Sequence, residues 1–124
     1  MPIGAVTGAP DIRINVQVQG LGPTFLLKVT LQNSGTFPVM QSILIFSFDS
    51  ELYIMGHNDK SKQSVKVPVL LTGPKHIFDT EIQSIDPQGK SGQLLVYLYN
   101  STYSASAPII SASVKMPVSE LPLV

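Results

Sequence analysis

The sequence predicts an all-β domain: two antiparallel sheets, seven to eight short strands in all, packed face to face. Three observations carry that prediction. Apolar and polar residues alternate with a period of two along most of the chain. Clusters of Gly, Pro, Asn, Asp and Ser recur at a spacing of roughly ten residues, as turns between short strands do. No stretch shows the period of an amphipathic helix.

The alternation is longest between Asp11 and Asn33. Ile12, Ile14, Val16 and Val18 are set against Arg13, Asn15, Gln17 and Gln19, so one face is apolar and the other polar. After Gly20-Leu21-Gly22-Pro23 the pattern resumes, with Phe25, Leu27, Val29 and Leu31 against Leu26, Lys28, Thr30 and Gln32. Pro23 has no N–H to give to a ladder and marks the boundary, so the two runs form an antiparallel hairpin. Ahead of it, residues 1–10 (MPIGAVTGAP) are aperiodic and read as a linker or cloning remnant. They lack the basic and strongly apolar sections of a signal peptide.

Asn33-Ser34-Gly35-Thr36 supplies the next turn and leads to Met40–Phe48. There Ile43, Ile45 and Ser47 lie on one face and Leu44, Phe46 and Phe48 on the other. Two apolar faces describe a central strand whose outer side is covered by a loop or by a partner. Asp49-Ser50-Glu51 then turns the chain into Leu52–Met55, a short edge strand that could extend a sheet by strand addition. Residues 56–64 (GHNDKSKQS) are the most polar stretch and read as an exposed loop.

Val65, Val67 and Val69 next alternate with Lys66, Pro68 and Leu70, and Pro68 places that strand at an edge. Beyond Thr72-Gly73-Pro74, Phe78, Thr80 and Ile82 form a buried set against Ile77, Asp79, Glu81 and Gln83. Asp86-Pro87-Gln88-Gly89 is a β-turn sequence with proline at its second position. In Gly92–Asn100, Leu94, Val96 and Leu98 face the core. Leu95, Tyr97 and Tyr99 face outward, because each tyrosine hydroxyl needs polar surroundings. After the small-residue loop 101–107, Ile110, Ala112, Val114 and Met116 alternate with Ser111, Ser113 and Lys115, and Pro117 ends the last strand.

One domain accounts for residues 11–118, with a tail at 119–124. The strand count and spacing fit an immunoglobulin-like β-sandwich, with an up-and-down barrel as the alternative. The proline-broken edge favours the sandwich, since a closed barrel has no edges to guard.

Composition narrows the function. Lys plus Arg and Asp plus Glu each number 8, for a formal net charge of +0, so no overall field draws polyanions and nucleic-acid binding is not expected. Charged residues make up 13% of the chain, against roughly 25% in ordinary soluble domains. With 44% hydrophobic residues and a mean hydropathy of +0.25, that shortage points to a surface carrying an interaction patch. Cysteine is absent, which rules out disulfides and thiolate chemistry and leans toward a reducing compartment. No run approaches the ~18 apolar residues needed to span a bilayer.

Catalytic chemistry finds little support. His57, Asp59, His76, Asp79 and Glu81 are the candidate metal ligands, but they are scattered and lack the spacing of a converging set. Asp79 and Glu81 share a strand face and read as solvated carboxylates rather than an acid/base pair. There is no nucleophile elbow, and Gly20-Leu21-Gly22-Pro23 is broken by proline where a phosphate loop would open a helix. The expectation is a domain that is not an enzyme and has no catalytic, cofactor-binding or metal site.

The remaining features suit binding. Lys60, Lys62 and Lys66 form a small basic cluster able to receive an acidic peptide, and Leu95, Tyr97 and Tyr99 form an apolar and aromatic strip. These six are the candidate protein-interaction residues.

The run INVQVQGLGPTFLLKVTLQNSG, with the closing VKMPVSE, resembles the C-terminal γ-adaptin-ear-like (GAE) domain of the first subunit of the Bardet-Biedl syndrome coat complex, the BBSome. The likeness extends from about Ile12 to Glu120 and is densest at its two ends. It implies an immunoglobulin-like sandwich serving as a structural and protein-binding module, with other coat subunits as partners and a location in the cytoplasm, cilium and basal body. A related ear domain, or short aromatic and acidic peptides of the kind adaptor ears bind, extends the set of partners. In that family the membrane is reached only through the full complex, and the GTPase-binding propeller has no counterpart in this sequence. A second reading of the residues is an extracellular, fibronectin-like adhesion or receptor sandwich, for which Asn100-Ser101-Thr102 offers a glycosylation sequon.

Overall fold

The computed structural model describes residues 10–56 and 63–120. Eight strands follow one another: β1 Ile12–Gln19, β2 Thr24–Asn33, β3 Val39–Ser47, β4 Tyr53–Ile54, β5 Ser64–Leu70, β6 Lys75–Ser84, β7 Gln93–Tyr99 and β8 Ile110–Lys115. They form two four-stranded antiparallel sheets, ordered β1-β2-β6-β4 and β5-β3-β7-β8. Both sheets end in edge strands, so the molecule is a sandwich and not a closed barrel.

Period-two alternation explains the core directly. Phe25, Leu27, Val29 and Leu31 of β2 are buried, as are Leu44 and Phe46 of β3 and Leu94, Val96 and Leu98 of β7. Burying the apolar face of each sheet against the other is what stabilises the pair. The opening hairpin is in register from Ile12↔Asn33 to Gln19↔Leu26. Its turn needs glycine at Gly20 (φ 109°) and Gly22 (φ 88°), a region that side chains with a Cβ avoid.

The alternation expected for residues 65–70 breaks once. Gln41 has φ 60° and lies opposite Pro68, between the pairs Met40↔Val69 and Ser42↔Val67. Pro68 has no N–H to complete the ladder there, and the left-handed residue facing it resets the pleat on both strands. Burial therefore steps by three: Val39 and Ser42 are both buried on β3, and Val67 and Leu70 on β5. Leu70 joins the core, contrary to simple alternation, while Met40 and Val69 turn to the outer side.

Two buried asparagines fasten the strand ends. Asn33 Nδ2 donates to the carbonyls of Phe37 (2.8 Å) and Leu70 (3.1 Å), and its Oδ1 accepts from the Gly35 amide (2.9 Å). Asn100 Nδ2 donates to Met40 O (2.7 Å) and Ser42 Oγ (2.8 Å), and its Oδ1 accepts from the Thr102 amide (3.0 Å). Each amide thereby uses both donor hydrogens and its acceptor, which is what makes its burial tolerable. Tyr53 is buried on the short strand β4, and its hydroxyl accepts from the Gly92 amide (2.9 Å). At the other end, the amides of Ser119 and Glu120 donate to the carbonyls of Gly89 and Leu21, fastening the chain beyond β8 to the sandwich.

Candidate interaction surface

The two sheets turn different chemistry to the outside. In the β1-β2-β6-β4 sheet, registered rows of outward residues run Arg13–Gln32–Lys75, Asn15–Thr30–Ile77, Gln17–Lys28–Asp79 and Gln19–Leu26–Glu81. That face is charged and amide-rich. Ile77, at 57% exposure, is its largest apolar interruption.

The β5-β3-β7-β8 sheet is different. One row runs Lys66–Ile43–Tyr99, the next Ser64–Ile45–Tyr97–Ser111, and the third Ser47–Leu95–Ser113. Residues opposite each other in an antiparallel pair share a face and lie in side-chain contact range. Ile43 (40% exposed) and Ile45 (37% exposed) therefore stand beside two half-buried tyrosines in the middle of an open face. The Tyr97 and Tyr99 rings are 6.2 Å apart at 48°, a tilted aromatic pair. Met40, 53% exposed, extends the apolar strip at the Asn100 end. Lys66 and Lys115 stand at its rim, and no carboxylate lies on the described outward positions of these four strands.

Lys66, Leu95, Tyr97 and Tyr99 thus fall on one face, while Lys60 and Lys62 lie outside the described residues. Sequence reasoning did not include Ile43, Ile45 and Met40 among the binding candidates. The two-sided apolar pattern of β3 was their only signal, and it left open a covering loop; among the described residues none lies over Ile43 and Ile45.

The residues considered for metal or acid/base chemistry do not gather. Asp79 and Glu81 are exposed on the outer side of β6, whereas His76 points inward from the same strand, its Nε2 buried without a hydrogen-bond partner. His57 and Asp59 lie outside the described residues. Among the described residues no three His, Cys, Asp or Glu side chains come together as metal ligands would. A groove of about 530 Å³ between β5 and β6 is lined by Thr24, Ser64, Thr80 and Gln83, with Glu81 its one acidic side chain among the described residues. The sequon fares no better as a surface feature, because the Asn100 side chain is 2% exposed and fully engaged.

The fold and this surface define a class: an antiparallel β-sandwich of ear-like size that offers a flat, apolar and aromatic sheet face. Residues 12–122 match the family model of the Bardet-Biedl syndrome 1 protein GAE domain, and the chain belongs to that family. It is 33% identical over 117 residues to the mouse protein "BBSome complex member BBS1", a match covering 94% of this chain and 18% of the relative. The human protein of the same description matches to the same extent. The chain therefore spans less than a fifth of the length of these relatives. Among solved structures, a β-glucosidase from Kluyveromyces marxianus in complex with glucose aligns over 90% of this chain and 14% of its own. Its identity is 15% and its TM-score 0.39, too low to carry an argument.

Proposed function

We propose that this domain is a non-catalytic interaction module of a BBSome-type coat, holding neighbouring subunits through the outer face of β5-β3-β7-β8. The observation that supports this reading is the exposure of Ile43 and Ile45 beside Tyr97 and Tyr99, with no carboxylate on the described outward positions. A central strand with two apolar faces is costly to leave in water, and interface centres favour aromatic anchors of this kind. The partners are other coat subunits, a related ear domain among them, or short segments rich in aromatic and acidic residues, for which Lys66 supplies a rim cation. On this reading the domain works in the cytoplasm, cilium and ciliary basal body, as part of a coat that moves membrane proteins, and reaches the membrane only through the whole complex.

Retention of coat subunits by the immobilised chain is the test. Ile43→Ser with Ile45→Ser, and separately Tyr97→Ala with Tyr99→Ala, remove the two halves of the patch while leaving the core intact. Loss of retention in both, with unchanged thermal unfolding, is the expected result. Full retention by both variants would remove this face from the interface.

A further inference from the structure

Three of the four sheet edges carry obstacles to further pairing. β5 has Pro68 within it, β4 is two residues long, and β8 lies between Pro108 and Pro117 and carries Lys115. Such features are how native sheets avoid pairing with other chains. β1 is the least obstructed of the four: it carries one outward cation, Arg13, but it is eight residues long, holds no proline or glycine within it, points no charge inward and is in unbroken register with β2. Its backbone bonds run to β2, and along its other side no hydrogen bond is formed among the described residues.

The side chains beside that free edge are also unfinished. Ile14, Val16 and Val18 point toward the core yet remain only partly buried, as do Ile110 and Val114 on β8, the strand of the other sheet that packs against β1. The inward residues of β2, one strand further in, are fully buried. An apolar seam thus runs alongside a row of backbone donors and acceptors unpaired among the described residues. On the outer side, the row Arg13–Gln32–Lys75 contains two cations and no carboxylate, and Arg13 forms no ion pair among the described residues.

We propose that β1 is a docking edge for an extended segment of a partner protein. That segment runs antiparallel to β1, the slightly more stable pairing, with apolar side chains at alternate positions and a carboxylate opposite Arg13. Its backbone completes the edge, its apolar side chains close the seam over Val16 and Val114, and its acid neutralises the Arg13 row. This edge lies on the other sheet from the face assigned to coat subunits, so the two readings stand or fall separately.

A fluorescently labelled peptide of sequence TVTVTVEV, whose single glutamate falls opposite Arg13 when paired antiparallel, is the probe. Titration of the 124-residue chain should give saturable anisotropy, with slowed amide exchange confined to β1. Val16→Lys, an inward charge on the edge, should abolish binding. Arg13→Glu, an exposed change that leaves the fold intact, should weaken it roughly five-fold, in line with cross-strand charge pairs. A peptide with lysine in place of glutamate should restore binding to that variant. No binding of the peptide to the wild-type chain overturns the proposal, as does binding indifferent to both substitutions. Self-association of the free chain that Val16→Lys removes would also overturn it, by giving the edge to a second copy.

Discussion

Replacing Asn100 with alanine isolates the tie that sets β7 against β3. The substitution deletes three hydrogen bonds, to Met40 O, Ser42 Oγ and the Thr102 amide. Thr102 is exposed, so its amide regains a partner from water. Ser42 is 2% exposed, and its hydroxyl does not. A typical net bond contributes ~0.5–1.5 kcal/mol, and a buried group left unsatisfied costs ~1–3 kcal/mol. Together these give a loss of roughly 2–4 kcal/mol for Asn100→Ala, a large share of the total for a small domain. At this chain length the fall in Tm is on the order of 10–20 °C.

The chain has no tryptophan, so urea unfolding followed by far-ultraviolet circular dichroism is the suitable assay. A double-mutant cycle with Ser42→Ala should then return a coupling of ~0.5–1.5 kcal/mol, since the two side chains share one bond. A loss below about 1 kcal/mol, or a coupling near zero, would refute the argument that this amide is a buried structural tie. The same tie has a functional side. By holding the Met40 carbonyl it steadies the end of β3 where Ile43 faces Tyr99, so Asn100→Ala should also loosen that end of the apolar face.

Two further substitutions test local packing. Gly22 and Gly73 both have positive φ, but a Cβ at Gly22 would collide with Ser119 and the Phe25 ring, while one at Gly73 meets nothing. Gly22→Ala should therefore destabilise by the backbone strain that Gly73→Ala also suffers, ~1 kcal/mol, plus an overpacking cost of ~1–3 kcal/mol; equal losses in denaturant would refute the collision. Tyr53→Phe keeps the edge-to-face contact with Phe48 (6.3 Å, 88°) and removes only the hydroxyl that receives the Gly92 amide. It should cost ~0.5–1.5 kcal/mol in the same assay, and an unchanged midpoint would show that bond to be idle.

The contrast between what was legible and what was not follows the range of the interactions. Alternation is a local signal, and it located the strands and the buried sets Phe25/Leu27/Val29/Leu31 and Leu94/Val96/Leu98 without any knowledge of pairing. It failed at Leu70 because the pleat there is reset by Gln41, on another strand, facing Pro68. Asn100 was legible only as a sequon and Asn33 only as a turn residue. Their partners, Met40 and Leu70, lie 60 and 37 residues away, and such bonds leave no period in the sequence. Tyr53 was placed on a short edge strand, as β4 is, but its burial was illegible for the same reason: the Gly92 amide that holds its hydroxyl is 39 residues downstream. On the apolar face, the tyrosines were visible as an outward set, but joining them to Ile43 and Ile45 required the register of β3 with β7.

That register also gives the low charge content a location. Arg13, Lys28, Lys75, Asp79 and Glu81 all occupy the outer face of β1-β2-β6-β4. The outward positions of the other sheet hold Lys66 and Lys115, both on edge strands, with Ser, Ile, Leu and Tyr between them. A domain short of charge everywhere would be poorly soluble on all sides, and one face accounts for most of the shortage here. Water on one sheet and an apolar contact on the other satisfy both patterns at once, since β3 gains nothing in solution from exposing Ile43 and Ile45. The fold is stable without them, because Leu44 and Phe46 already fill the core from the same strand. Core packing does not account for their apolar character, and the partner surface proposed above would give it a role.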